Sequence, residues 1–182
     1  MSTSSEPIIA PFTVIVDNSE QHPFSFRNFR SDAHKKFRPL VVPIVVRSLD
    51  TGDYSIEGLE HLVTVERKSL QDLYGTLGQQ RDRFERELVR MSEMDFGAVV
   101  IEASWGTILA KPPPHSNLLP KTVFRSVLAW QQRFPNVHWW ACDTRWFAEQ
   151  TTFRILERYY RDLKEGLKDV QPAGNGQTGQ VG

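Results

Sequence analysis

Apolar residues along this chain repeat with two different periods. Short runs rich in β-branched and aromatic residues occur at "FTVIVD" (12–17), "LVVPIVVRSL" (40–49), "HLVTVERK" (61–68), "FGAVVIEAS" (96–104) and "VHWWACD" (137–143). Each is bounded by turn residues and predicts a β-strand. Pro43, inside the second run, has no N–H to give to a sheet ladder and predicts an edge position or a bulge. Elsewhere the spacing is helical: Leu70, Leu73 and Leu77, broken at Gly75 and Gly78, then Phe84, Leu88 and Met91. Two further helices are predicted over 120–133, opened by Pro120, and over 144–167, with Thr144 as N-cap. Strands lead and then alternate with helices, which predicts an α/β fold: one domain with a mixed central sheet flanked by helices. The pattern fades at both ends. Residues 1–11 read as a loose N-terminal arm and 169–182, "DVQPAGNGQTGQVG", as a flexible tail, leaving 12–168 as the domain.

Composition narrows the function classes. With 182 residues and 40% hydrophobic content the chain can bury one proper core. A single cysteine, Cys142, leaves no disulfide framework or multi-cysteine zinc site and suits a reducing compartment. The five histidines show no metal-ligand spacing, and no Gly-rich phosphate loop followed by Lys occurs. No apolar run approaches ~18 residues and "MSTSSEPIIAPF" lacks the charge pattern of a signal peptide, so a cytoplasmic protein without membrane contact is expected. The formal net charge is +0, yet "PFSFRNFRSDAHKKFR" (23–38) carries Arg27, Arg30, Lys35, Lys36 and Arg38 against Asp32. Such a segment is either a solvated basic stretch or a nucleic-acid contact, with Lys35 and Lys36 the DNA-binding candidates.

The candidate chemistry lies in "LDTGDYSIEGLEHLVTVERKSLQDL" (49–73). Alternation along a strand puts Thr64, Glu66 and Lys68 on one face and Val63, Val65 and Arg67 on the other. A hairpin back to Asp53 would set that carboxylate beside Glu66. Two carboxylates about 4 Å apart repel by roughly 4 kcal/mol at an effective dielectric near 20, so the pair calls for a cation. Oxygen donors point to Mg2+ or Mn2+, and Lys68 could orient a water or stabilise developing charge, the chemistry of phosphodiester hydrolysis. The same residues also suit a surface hairpin with a Glu66–Lys68 ion pair on its solvated side.

"GDYSI" followed by "VTVERKSLQDL" resembles the XPF-type structure-specific nuclease domain, whose mark is Gly-Asp, then Glu-Arg-Lys-Ser, then Asp. The resemblance takes in "VIVDNSEQHPF" upstream and "QRDRFERELVRM", "AVVIEAS" and "VLAWQQRFP" downstream, over roughly residues 13–160. It looks closest to short stand-alone members from bacteria and phages. It implies a restriction-endonuclease-like fold and metal-dependent cleavage of DNA, on branched, flapped or nicked substrates of repair or recombination. Carried over residue by residue, it implies Asp53 and Glu66 as metal ligands supported by Asp17, Lys68 at the attacking water, and Arg67 in the motif. Arg67 faces away from Glu66, so its side chain is expected to pair with a neighbouring element while its carbonyl remains available to a metal. Glu20 is either a site residue or part of a turn. Asp72 is either a site residue or the partner of Ser69 in a capping box, and Arg81 either a phosphate contact or the i,i+4 partner of Glu85. Ser19 and Gln80 depart from the resemblance, standing where Arg and Gly are usual.

The rival reading is a non-catalytic nuclease-like subunit that pairs with an active partner. For the nuclease reading a homodimer is expected, through helices 120–133 and 144–167, where Val123, Val127, Leu128, Trp130, Phe147, Phe153, Ile155, Leu156 and Tyr159 exceed what one face of each needs. A separate partner protein supplying DNA specificity is the other option.

Overall fold

A computed structural model describes residues 6–31, 38–114 and 116–169. In chain order these form β1 (Ile8–Ile9), β2 (Val14–Asp17), β3 (Phe29–Ser31), β4 (Arg38–Val41), β5 (Ile44–Arg47), β6 (Tyr54–Ile56), β7 (Val63–Lys68), α1 (Leu70–Gly78), α2 (Arg81–Ser92), β8 (Phe96–Ile101), α3 (Trp105–Ala110), α4 (Pro120–Arg133), β9 (Val137–Ala141) and α5 (Arg145–Asp169). The main sheet has the order β5-β2-β6-β7-β8-β9. Only β6 runs against its neighbours; β2 with β5, and β7 with β8 and β9, are parallel. The C-terminal ends of β2, β7, β8 and β9 and the start of β6 therefore meet at one end of the sheet. The expected mixed α/β fold with flanking helices is what forms.

Both faces of the sheet are covered, which is why β8 and the first three residues of β2 carry no polar side chain, while β7 is apolar at Val63 and Val65 and turns polar towards its C-terminal end. On one face Val14, Val16, Val63, Val65, Ala98 and Val100 pack against Phe153 and Leu156 of α5 and an aromatic cluster of Phe24, Phe26, Phe29 and Tyr54. On the other Val99, Ile101 and Val137 pack against Leu73, Phe84, Leu88, Val127 and Trp130 from α1, α2 and α4. Each fully buried side chain of this size contributes about 1.5–3 kcal/mol relative to exposure.

Four expectations are corrected. The run 40–49 is not one strand: β4 joins a small sheet of order β1-β4-β3, while β5 becomes an edge of the main sheet. Pro43 sits at the break, its missing N–H ending one ladder while its carbonyl accepts from Val14 N at 2.9 Å. The second half of the expected arm is structured: Ile8 and Ile9 pair with Leu40 and Val41, and Ala10 is buried. The helix over 70–78 passes through Gly75, opened by Ser69, and the break falls at Gln79 and Gln80. Finally, most residues assigned to a dimer contact are used internally: Val123, Val127, Trp130, Phe153 and Leu156 are all buried in the two cores. Helix α3, too short to show a period, was not expected; Ser104 caps it, accepting from Thr107 N at 3.0 Å. Most of the expected tail, 170–182, lies outside the described residues. Among the described residues no helix is long and apolar enough to cross a membrane.

Candidate functional site

The site begins with a turn. Gly52 has φ +75, and a Cβ there would come within 2.1 Å of Thr64 Oγ1, so the chain can pass this close to β7 only with glycine. The turn delivers Asp53 to the space between β2 and β7. Its N–H donates to Val65 O at 2.9 Å and its carbonyl accepts from Asp17 N at 2.8 Å. Its Oδ2 accepts from Arg67 N at 2.7 Å. Backbone bonds on both sides thus fix the carboxylate at the end of the sheet where the parallel strands terminate.

Glu66 and Lys68 project from β7 onto the same face. Glu66 is buried and its carboxylate is ion-paired with the Lys68 ammonium, which also lies 4.6 Å from the centre of the Phe84 ring. Asp17, Asp53, Glu66 and Lys68 line one cleft of about 400 Å³, walled by the 49–52 loop and α2.

Electrostatics separate the members of the cleft. Burial pushes the Asp53 carboxyl up to about 7; the Arg67 N–H and the Lys68 charge act in the opposite direction, and Glu20 and Glu87 add to the rise. Burial also holds Glu66 well above the usual carboxylate range, with Lys68 opposing and Asp53 and Glu87 reinforcing. Lys68 is disfavoured by burial, yet Glu66 and the other acids hold its pKa above the ordinary value. Asp17 goes the other way. Burial works against its charge, but donors around it win: the Ser19 hydroxyl, Leu49 N at 2.7 Å and Ser19 N at 3.0 Å. Ser19, standing where the resemblance has Arg, thus serves the Asp17 carboxylate directly.

Among the described residues no three His, Cys, Asp or Glu side chains converge as a metal-binding group. The donor chemistry nevertheless fits a hard divalent cation: two carboxylates share the cleft, both are held high by burial, and the Asp53 charge raises Glu66 further. Asp53 and Glu66 are the pair that could hold it.

The remaining candidates are placed elsewhere. Arg67 faces the opposite side of β7, as alternation requires. Its guanidinium forks onto Glu102 at 2.7 and 3.0 Å and reaches Glu20 at 3.3 Å. Glu20 therefore belongs to that network, and it also accepts from His22 N at 2.6 Å. Asp72 is exposed and forms the capping box of α1, accepting from Ser69 Oγ at 2.6 Å, outside the cleft. Arg81 donates to Ser126 Oγ at 2.8 Å and lies 4.8 Å from the Trp130 ring, while Glu85 pairs with Arg133 in its place. Lys35 and Lys36 lie outside the described residues.

The cleft also contains residues that the sequence reading passed over: Glu87, Arg83, Arg86 and Arg90 of α2. Their signal was available in "RDRFERELVRM", where these positions lie beside the apolar stripe of Phe84, Leu88 and Met91.

A family model for the ERCC4 domain matches residues 16–154. Among solved structures, XPF from Aeropyrum pernix is similar at 16% identity with a TM-score of 0.53, over 93% of this chain and 66% of that one. XPF from Aeropyrum pernix in complex with DNA matches at 17% identity and a TM-score of 0.49, over 66% of this chain and 55% of that one. This chain thus spans just under two thirds of the first of these. At such identity the likeness to the first of these shows a shared fold. A search of curated proteins finds no match.

Proposed function

This chain belongs to the ERCC4 domain family, a family of nuclease domains, and we propose that it is a divalent-metal-dependent DNA endonuclease. The observation that carries the reading is the meeting of buried Glu66 with half-buried Asp53 and Lys68 at the sheet end that opens into the cleft. Mg2+ or Mn2+ at these two carboxylates would supply Lewis-acid charge to a phosphodiester and acidify a water. The protein's own groups do the rest. The Arg67 N–H orients Asp53, and Lys68 offers its ammonium to the attacking water or the phosphate oxygens, neutralising charge that develops as the P–O bond breaks. Asp17, accepting from Ser19 on Oδ2 and from Leu49 N on Oδ1, holds the 17–19 turn against the 49–53 loop and so keeps the cleft wall in place.

Branched, flapped or nicked DNA is the substrate we favour, met by a homodimer. The contact cannot use the residues already in the core. It is better placed along edge strand β9 and α5, where Trp140 and Phe147 are exposed beside a groove floored by Phe96, Ile155 and Tyr159. Light scattering at micromolar concentration, with Trp140→Glu as the disrupting variant, tests it; a wild-type monomer with full activity rejects the dimer. A cytoplasmic setting in a bacterium or phage is part of the same proposal.

The rival, a non-catalytic subunit, has one observation in its favour: Ser19 occupies Asp17 and leaves that carboxylate little free capacity. A cleavage assay on branched and linear DNAs in Mg2+ and Mn2+ decides between them. Cleavage lost in Asp53→Asn supports the nuclease; a wild type that binds every substrate and cuts none supports the rival.

A further inference from the structure

We propose that Arg83, Arg86 and Arg90 of α2 form a guanidinium wall that binds the phosphate backbone of a DNA strand lying in the cleft. This rests on the reading of the cleft as a DNA site. All three arginines line it together with Asp53, Glu66 and Lys68. Spacings of three and seven residues keep them on one side of the helix, along a row about 10 Å long at 1.5 Å per residue. A DNA strand rises 3.4 Å per phosphate, so the row spans about three successive phosphates.

The place of these arginines in the cleft, rather than freedom from partners alone, distinguishes them: Arg27, Arg125 and Arg161 are likewise exposed without a hydrogen bond or ion pair among the described residues, but none of these lines the cleft. Arg67, Arg133, Arg145 and Arg158 all have carboxylate partners. Arg83 and Arg86 are exposed and, among the described residues, their guanidiniums make no ion pair or hydrogen bond. Glu87, between them and Arg90 on the helix, turns to Gly52 N at 3.4 Å. Arg90 is braced: its Nε donates to Thr51 Oγ1 at 2.6 Å and its NH1 to Arg86 O at 3.3 Å, tying the wall to the loop that delivers Asp53. Two unengaged forks beside a braced one, facing a cleft, suit bidentate contacts with phosphate oxygens. Arg81, engaged with Ser126 and Trp130, points away from this row.

The test is the salt dependence of DNA binding without chemistry. Anisotropy of a labelled nicked duplex is followed in EDTA and in Ca2+ between about 50 and 200 mM NaCl. The Arg83→Ala/Arg86→Ala double variant should melt like the wild type, bind on the order of 10-fold or more weakly at low salt, and lose about two from the slope of log K against log salt. Arg81→Ala should leave the slope unchanged. An unchanged slope in the double variant, or a slope lost in Arg81→Ala alone, overturns the wall. The two readings fail separately. A wild type that binds with a slope the double variant reduces, yet never cuts in Mg2+ or Mn2+, keeps the wall and rejects the nuclease. One that cuts with a slope the double variant leaves intact does the reverse.

Discussion

The two faces of β7 carry the same kind of chemistry with opposite outcomes. On the α5 face, Arg67 is matched by the two oxygens of Glu102, by Glu20, and by the ring of Phe24 at 5.8 Å. Glu102 in turn accepts from Arg145 at 2.8 Å, whose other nitrogen bonds His22 O and Pro23 O at 2.7 and 2.9 Å. Every member has partners, and the Arg67 pKa rises despite burial because the surrounding acids favour its charge. On the cleft face, Asp53, Glu66 and Glu87 act on a single buried ammonium, and both buried carboxylates are held high. A satisfied ion network locks strand to strand; an acid-rich one stores a demand for a cation. The difference teaches which face is framework and which is site.

The largest effect should come from removing that demand. Asp53→Asn or Glu66→Gln should cut cleavage on the order of 10³-fold, a few kcal/mol of barrier; Asp53→Asn should leave the melting temperature level or raised, because it deletes a disfavoured charge, whereas Glu66→Gln should lower it by taking the ion-pair partner from Lys68. Cleavage rates beside thermal melts check it, and a stability loss without a rate loss would merge the two faces into one framework.

Arg67→Ala should behave in the opposite way. Removing this buried guanidinium leaves Glu20 without its ion-pair partner and Glu102 with Arg145 alone, and should cost about 3 kcal/mol of stability, measured by urea unfolding. Lys68→Ala sharpens the contrast: roughly 10²-fold in rate, with a smaller stability change than Arg67→Ala. Reversal of these two orders would mean that the framework and the site have been assigned to the wrong faces.

A pH titration distinguishes the faces without mutation. Asp53 rises from 3.8 to about 7 on folding, so between those values the folded chain holds a proton that the unfolded chain has released. The Asp53 contribution to stability in EDTA should therefore fall as pH rises from about 4 to 7 and level off above, with Glu66, also held high, adding a fall of the same sign. Mg2+ or Mn2+ competes with that proton, so the metal should raise the melting temperature most above pH 7 and release protons on binding. Calorimetry in buffers of different ionisation enthalpy reads the release. Asp53→Asn should flatten the metal-free slope.

The smallest effect belongs to a residue outside both faces. Asp72→Ala removes one arm of the α1 capping box and should cost about 1 kcal/mol or less, with cleavage within about twofold of wild type. A large rate loss at unchanged stability would bring Asp72 back into the site.

Much of this was legible in the residues alone, because it depends on local geometry. Alternation along "VTVERK" put Glu66 and Lys68 on one face and Arg67 on the other, and Ser69 and Asp72 are close enough in sequence to cap each other. These follow from φ, ψ and the strand period, which a few residues determine among themselves. Tertiary structure decided what depends on partners distant in the chain. Arg81 turned to Ser126 and Trp130 because α4 packs beside α1 and α2, Glu20 went to Arg67 across the sheet end, and most of the apolar surplus of α4 and α5 was taken up by two cores. Arg83, Arg86, Glu87 and Arg90 became cleft residues only when α2 was laid against the 49–53 loop. A long charged side chain has several partners within reach of its own helix, and packing between distant segments selects which one it meets.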